Sequence, residues 1–398
     1  MLETTLIMVE YAFQIGKQFA MSNASLPGYI VDILDQPKAL RTGLSAWKGL
    51  EFKPIAASVR RSERVILTGM GSSYAALLPA WRSLIKAGIA AWHLDTAELL
   101  TLGSDFLAPN TLVIAASQSG RSAELIALSE QARGRSPLIA MTNDPASPMT
   151  QGAAHVMELY SGVEHAVSTR SYLNTLALAS ILGSAVYDES ERDPWARAMK
   201  PWVDTPDPIE RYLERWRARV DALKAALGLP DRLILLARGA SLASAFYGAL
   251  INKEAAKWPL EAMNAAQFRH GPLELADSRL TALILAGNEP ADRERNRRLA
   301  RDVHRYGGRV LWLESEGEGL TSGQSNASAE ACESLSPGRE LPTVPTSALP
   351  TFHFPHVPSF ARAAAEILPL QLLSVALAEL TGIEPGVFRH LQKVTSVE

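Results

Sequence analysis

Two stretches of the chain share one pattern: an apolar run of strand length stops at a glycine, and small residues then lead into an Ala/Leu-rich segment with helical spacing. RVILTGMGSS, Arg64 to Ser73, is the first copy, and RLILLARGAS, Arg232 to Ser241, is the second. The apolar runs are continuous rather than alternating, which predicts strands covered on both faces, as in a parallel sheet flanked by helices. Helices are expected at Ala75 to Ala87 and at Leu242 to Lys257, so each copy reads as a strand–turn–helix unit. Similar runs predict strands at Thr111 to Ala116, Pro137 to Met141 and Ala154 to Leu159 in the first half. In the second half they predict strands at Leu280 to Ala286 and Val310 to Leu313. The expected class is α/β, with two tandem doubly wound, flavodoxin-like units and parallel sheets.

Two segments interrupt this pattern. Asp193 to Pro208 holds four prolines and two tryptophans and predicts an ordered linker rather than a helix. Glu314 to Thr351 is rich in Ser, Gly, Pro and Glu without apolar periodicity and predicts a long mobile loop. A short strand at Phe352 to Phe354, a long apolar helix at Ser359 to Leu380 and a polar tail follow. The expected division is an extension at 1–32, a first unit at 33–200, a second at 201–390 carrying the loop 314–351, and a tail at 391–398. Met21 precedes a polar run, so the first twenty residues can be an extension or a misassigned start.

Composition narrows the class. With 398 residues, 47% hydrophobic and 20% charged, the chain has apolar material for two cored units. A net charge of -3 from 39 basic and 42 acidic residues spread along the chain argues against nucleic acid and anionic membrane as partners. The single cysteine, Cys332, rules out an internal disulfide, and no Cys/His spacing suits zinc, so no metal or other cofactor is expected and a reducing cytoplasm is the predicted location. Residues 1–20 make a poor signal peptide, and no apolar run reaches the roughly 20 residues of a membrane span.

Chemistry is concentrated in a few places. After the strand at Thr111 to Ala116 come Ser117, Gln118, Ser119, Gly120, Arg121 and Ser122, with a helix starting near Ser122. A strand, a Ser-rich turn and a helix N-terminus make an anion site, because unpaired N–H groups, hydroxyls and an amide all donate. One serine would read as a helix cap; three with Gln118 and Gly120 point to phosphate. The turn Gly71-Ser72-Ser73 ends the neighbouring strand and can present Ser73 to the same ligand. Gly69 and Gly71 lack the third glycine of a dinucleotide fingerprint, and no acidic residue follows at ribose distance. In the second half, Gly239-Ala240-Ser241 and Gly287-Asn288-Glu289 have lost hydroxyls and gained a carboxylate, so one phosphate per chain is expected. Glu254 reads by itself as a surface residue paired with Lys257, His270 as a turn histidine or an acid/base group, and Lys393 as a solvated tail residue.

Together these motifs resemble the sugar isomerase (SIS) domain family, and most closely the isomerase half of glucosamine-6-phosphate synthase and glucosamine-6-phosphate deaminases. The resemblance runs from about Ile33 to Glu398. It rests on Gln36-Pro37, Gly71-Ser72-Ser73, the SQSG loop, Ser168-Thr169-Arg170, Lys253-Glu254, Arg269-His270-Gly271-Pro272, Pro369 to Leu373 and the terminal KVTSVE. It implies that Ser73, Ser117, Gln118, Ser119 and Ser122 bind phosphate, with Gly71, Ser72, Gly120, Ser168 and Arg170 in support. It also implies that Glu254 moves a proton between carbons 1 and 2, that His270 opens the sugar ring from the neighbouring subunit of a homodimer, and that Lys393 forms a Schiff base with the ketose. The sequence departs from the family in having no glutaminase domain, Ile251 where the synthase has a lysine, Arg170 in place of lysine, and a longer loop at Glu314 to Thr351. The implied activity is a glutamine-independent isomerase or deaminase of an amino-sugar phosphate, with a deglycase of amino-acid-linked sugar phosphates or a non-catalytic phosphosugar sensor as alternatives.

Overall fold

The computed structural model describes residues 26–187, 193–318 and 349–390. The predictions for residues 1–20, for most of the loop 314–351 and for the tail with Lys393 fall outside the described residues.

In chain order, helices α1 (Gly28–Leu34), α2 (Gln36–Trp47) and α3 (Phe52–Arg61) precede strand β1 (Arg64–Gly69) and helix α4 (Gly71–Lys86). Strand β2 (Ala91–Asp95), helix α5 (Thr96–Leu102), β3 (Thr111–Ala116), α6 (Ala123–Ala132), β4 (Leu138–Thr142), β5 (His155–Glu158) and α7 (Arg170–Tyr187) complete the first half. Helices α8 (Pro194–Val203), α9 (Pro206–Leu213) and α10 (Trp216–Leu227) lead into β6 (Arg232–Ala237), α11 (Leu242–Ala256), β7 (Glu261–Asn264), the short α12 (Ala265–Phe268) and β8 (Leu280–Leu285). Helix α13 (Pro290–Arg305), β9 (Arg309–Ser315), β10 (Thr351–Phe354) and α14 (Arg362–Leu380) follow.

The strands form two parallel five-stranded sheets, ordered β2-β1-β3-β4-β5 and β10-β9-β8-β6-β7. Read from the other edge, the second order is the first one repeated, so each sheet reverses direction once, between β1 and β3 and between β6 and β8. The register places Gly69 beside Ala116 at the carboxyl ends of β1 and β3. Ligands of open α/β sheets bind in the crevice at such a reversal.

The continuous apolar runs divide by parity. Val65 and Leu67 of β1, with Leu112, Ile114 and Ala116 of β3, face a central core, while Ile66, Val113 and Ala115 face an outer one. The second sheet repeats this, with Leu233, Leu235 and Ala237 inward and Ile234 and Leu236 outward. Successive strand side chains alternate faces, so a strand covered on both sides needs apolar residues at every position. Helices α4 and α7 cover the inner face of the first sheet and α11 and α14 that of the second, and the two pairs pack against each other.

A polar seam runs through this middle layer. Gln36 and Gln371 exchange two amide hydrogen bonds of 2.8 and 2.9 Å, Gln371 also donates to the Tyr247 hydroxyl at 2.8 Å, and Tyr247 donates to the Ser168 carbonyl. Tyr247 stacks on Tyr172 with ring centroids 3.7 Å apart. All four of these aromatic and amide side chains are essentially inaccessible, and each has a hydrogen-bond partner, as buried polar groups must, with the Tyr172 hydroxyl donating to the Ala243 carbonyl at 3.2 Å.

Three expectations need correction. Asp193 to Pro208 is not a linker: α8 and the start of α9 occupy it. Pro194 and Pro206 sit in first turns, where a missing N–H costs nothing, and the Asp193 side chain accepts from Ala196 N–H. Trp195, Ala198, Met199 and Trp202 are all buried at helical spacing. The loop expected from Glu314 is shorter, because β9 continues to Ser315 and β10 begins at Thr351. The apolar run Ser359–Leu380 does reach 22 residues, enough by length and composition to cross a membrane, yet 89% of its window is buried inside the protein, as befits a core helix.

Candidate functional site

At the β1/β3 reversal two helix N-termini converge. Helix α4 starts at Gly71 directly after β1, and α6 starts at Ala123 after the SQSG loop that leaves β3. The first hydrogen bond of α6 runs from Ile126 N–H to the Ser122 carbonyl, so the N–H groups of residues 123 to 125 precede the helical ladder.

The loop between them is held by its own backbone. Ser117 N–H donates to the Met141 carbonyl, Asn143 N–H to the Gln118 carbonyl and Met149 N–H to the Gly120 carbonyl. The hydroxyl oxygens of Ser117 and Ser119 accept from Gly120 N–H and Arg121 N–H, each at 3.1 Å, which leaves both O–H protons to be donated elsewhere. Ser122 stands at the N-cap of α6 without making a side-chain cap bond. Ser117 and Ser119 thus brace the loop backbone, and Ser122 does not cap the helix. Gly120 has φ +60°, and a Cβ there would lie 2.0 Å from Ser147 Oγ. Arg121 turns outward to Asp144 at 2.7 Å, which holds the Asp144 carboxyl below its usual range.

Ser72 and Ser73 lie half-buried in the first turn of α4, across the crevice from this loop. Gly71 has φ +53°, and a Cβ there would lie 3.5 Å from the Leu250 side chain of α11. Leu250 and Glu254 are four residues apart and share a face of that helix. The carboxylate thus stands on the flank of α11 that meets the Gly71 turn, although it belongs to the other sheet. Burial pushes the Glu254 carboxyl up to about 7, and the neighbouring Lys257 offsets this in part. The surface ion pair with Lys257 does not form: Lys257 leaves the helix at φ +55°, and its ammonium bonds the Glu254 backbone carbonyl. Lys253 points away to Glu261 at 2.6 Å. The chain returns here near its end, where Gly386 N–H donates to the Ala255 carbonyl at 3.1 Å.

Other predicted residues lie elsewhere. The Arg170 guanidinium is buried between Asp32 at 2.8 Å and Asp35 at 2.7 Å, so it is committed inside the protein. Ser168 is half-buried, and its carbonyl anchors Tyr247. His270 is exposed in the turn after α12, and among the described residues no hydrogen bond or ion pair joins it to the SQSG loop of its own chain. Lys393 is outside the described residues.

The matching crevice at β6/β8 is filled by the protein itself. Ser241, the counterpart of Ser73, donates to Glu366 at 2.7 Å, Ser244 donates to the other oxygen of that carboxylate, and Arg362 bridges Glu366 and Glu318. Asp292 Oδ2 lies 3.3 Å from where a Gly239 Cβ would sit. The exposed Glu289 is thus not the carboxylate that faces this turn. Among the described residues no cluster of three or more His, Cys, Asp or Glu side chains could hold a metal ion. Sequence reasoning passed over Glu124, in the first turn of α6, one of whose carboxylate oxygens is buried without a partner. Its spacing from the SQSG loop was visible, but its burial was not.

Residues 58–185 match the sequence profile of the SIS domain. Over 395 residues the chain is 26% identical to the glutamine–fructose-6-phosphate aminotransferase [isomerizing] of Pyrococcus horikoshii, covering 96% of this chain and 60% of that protein. The chain spans about three fifths of the length of such curated relatives. The fold resembles the C-terminal domain of glucosamine-fructose-6-phosphate aminotransferase from Francisella tularensis, with TM-score 0.76, 18% identity, and coverage of 92% of this chain and 99% of that one. It also resembles glucosamine-6-phosphate deaminase from Thermotoga maritima, with TM-score 0.62, 16% identity, and coverage of 92% and 99%.

Proposed function

We propose that the chain, whose residues 58–185 match the SIS domain, is a phosphosugar isomerase or deaminase that converts an amino-sugar phosphate of the glucosamine-6-phosphate type into a ketose 6-phosphate and ammonia. The observation that carries this reading is a carboxylate with its pKa raised to about 7, placed on the helix face that meets the serine-rich crevice. A base that must take a carbon-bound proton works best when its pKa lies near the working pH.

In this reading the hydroxyls of Ser73, Ser117, Ser119 and Ser122, the Gln118 amide and the first N–H groups of α6 hold the phosphate. Glu254 removes the proton from carbon 2 of the open-chain amino sugar and returns one to carbon 1. The resulting 2-imino sugar takes up water and releases ammonia, leaving a ketone at carbon 2. Lys393 follows Arg389 by four residues, a reach of at most about 14 Å, and the chain before it already bonds to α11 beside Glu254. His270, exposed and away from the crevice of its own chain, opens the ring in a partner subunit of a homodimer.

A phosphosugar sensor would need the serine loop alone and gains nothing from a desolvated carboxylate. The test is to incubate the purified protein with glucosamine-6-phosphate and with fructosamine-type phosphates, following ammonia and fructose-6-phosphate. Turnover that disappears in Glu254→Gln supports the proposal, and release from the fructosamine series alone assigns a deglycase. Binding without any turnover sinks the proposal in favour of a sensor.

A further inference from the structure

The second sheet carries a cleft that the proposed reaction does not use. It measures about 460 Å³, and its walls are Arg238, Arg269, Arg295, Arg298, Arg301 and Asp302. Three separate elements build it: Arg238 directly follows β6, Arg269 follows α12, and the remaining four residues belong to α13. Arg295, Arg298 and Arg301 recur every third residue and so share one side of that helix.

The charges in this cleft do not balance internally. Asp302 pairs with Arg269 at 2.5 Å, Asp292 with Arg295 at 3.2 Å, and Glu294 with both Arg298 and Arg301 at 3.1 and 3.6 Å. Five guanidinium groups therefore share three carboxylates. Arg238 is half-buried, and its Nε bonds the neutral Asn296 side chain at 2.8 Å; among the described residues no carboxylate lies within ion-pair distance of it. Its charged form is disfavoured by burial and by Arg295 and Arg269, with Asp292 offsetting part of this. An ordinary solvated helix face spreads its cations into water, whereas here five converge on one concavity.

We propose that this cleft is a second anion site, for a small molecule carrying two or more phosphate groups. Planar guanidinium forks match phosphate oxygens in pairs. Because the walls are five arginines and one aspartate, the cleft offers charge and paired N–H donors rather than apolar packing, and the phosphates themselves are what is recognised. The inference is independent of the reaction proposed above, since it uses none of the serine-loop residues.

The probe is inorganic pyrophosphate, titrated calorimetrically into the full chain with and without saturating glucosamine-6-phosphate. One pyrophosphate should bind per chain, equally well in both conditions and equally well in Ser119→Ala. The double variant Arg295→Gln/Arg298→Gln should weaken it about tenfold or more. These two side chains are 61% and 63% exposed, so the fold should survive, as circular dichroism will show. Unchanged binding in the double variant overturns the proposal. Displacement by the sugar phosphate, or loss in Ser119→Ala, overturns it by placing the anion at the serine loop. Tighter binding of a single-stranded oligonucleotide than of pyrophosphate overturns it by making the patch a polymer surface.

Discussion

Replacing Gly120 by alanine adds one methyl group at the point where the SQSG loop turns into α6. Two penalties arise. The residue sits at φ +60°, in the left-handed region, where a side chain costs about 1–2 kcal/mol. The new carbon also lies 2.0 Å from Ser147 Oγ, 2.5 Å from Ser147 Cβ and 3.2 Å from Thr142 Oγ1, distances that force the loop or β4 to move. Overpacking of this kind costs about 1–3 kcal/mol, so Gly120→Ala should lower unfolding stability by about 2–5 kcal/mol in all. The two parts separate in a double-mutant cycle, because Ser147→Gly removes the two nearest of these atoms and leaves the dihedral cost. Urea unfolding of the four proteins measures the terms. Gly120→Ala should cost several kcal/mol alone and only about 1–2 kcal/mol in the presence of Ser147→Gly. If it costs less than about 0.5 kcal/mol in both backgrounds, as a surface substitution would, the loop is neither strained nor packed as described.

Four further predictions concern the crevice and the seam. Glu254 has its carboxyl raised from the ordinary 4.5 to about 7, so the folded state holds its proton more tightly and loses stability as pH rises from about 4.5 through about 7. Glu254→Gln should therefore stabilise the protein by on the order of 2–3 kcal/mol above pH 7 and by little at pH 4, and equal melting shifts at both pH values would contradict this. In the wild type the same group should make kcat/KM rise with pH and level off above an apparent pKa near 7. Ser119→Ala and Ser122→Ala should each weaken sugar-phosphate binding about tenfold; Ser122→Ala should leave the urea midpoint nearly unchanged because Ser122 makes no cap bond, and a melting loss there in place of an affinity loss would return that serine to capping. Gln371→Leu strips partners from Gln36 and Tyr247 in a site without water access and should cost about 2–4 kcal/mol in urea unfolding; a neutral result would refute the seam's role.

Much of the architecture was legible because a strand covered on both faces must be apolar along nearly its whole length, and β1, β3, β6 and β8 are. The edge strands β2 and β7 were not, since AWHLD and EAMN are short, mixed runs with half-exposed positions. Proline at 194, 201, 206 and 208 hid helices α8 and α9, although Trp195, Ala198, Met199 and Trp202 had marked one of them at helical spacing. The serine loop was visible locally because its hydroxyls stand on nearly consecutive residues between β3 and α6. Glu254 could not, because what sets it apart is burial and the contact of Leu250 with a turn about 180 residues away in the chain, which no local pattern records. The arginines of α13 were present in the sequence but vanished in a chain-wide charge balance near zero.

The two reversal crevices have opposite fates. The second one holds Glu366, Arg362 and Glu318 against its own serines, so it behaves like a half whose guest is covalently attached and never leaves. Across the middle layer, the half that contains this filled crevice is also the wall on which Glu254 is mounted. One copy of the repeated unit keeps its crevice open, and the other, its own crevice occupied, carries the carboxylate on the helix face that meets it.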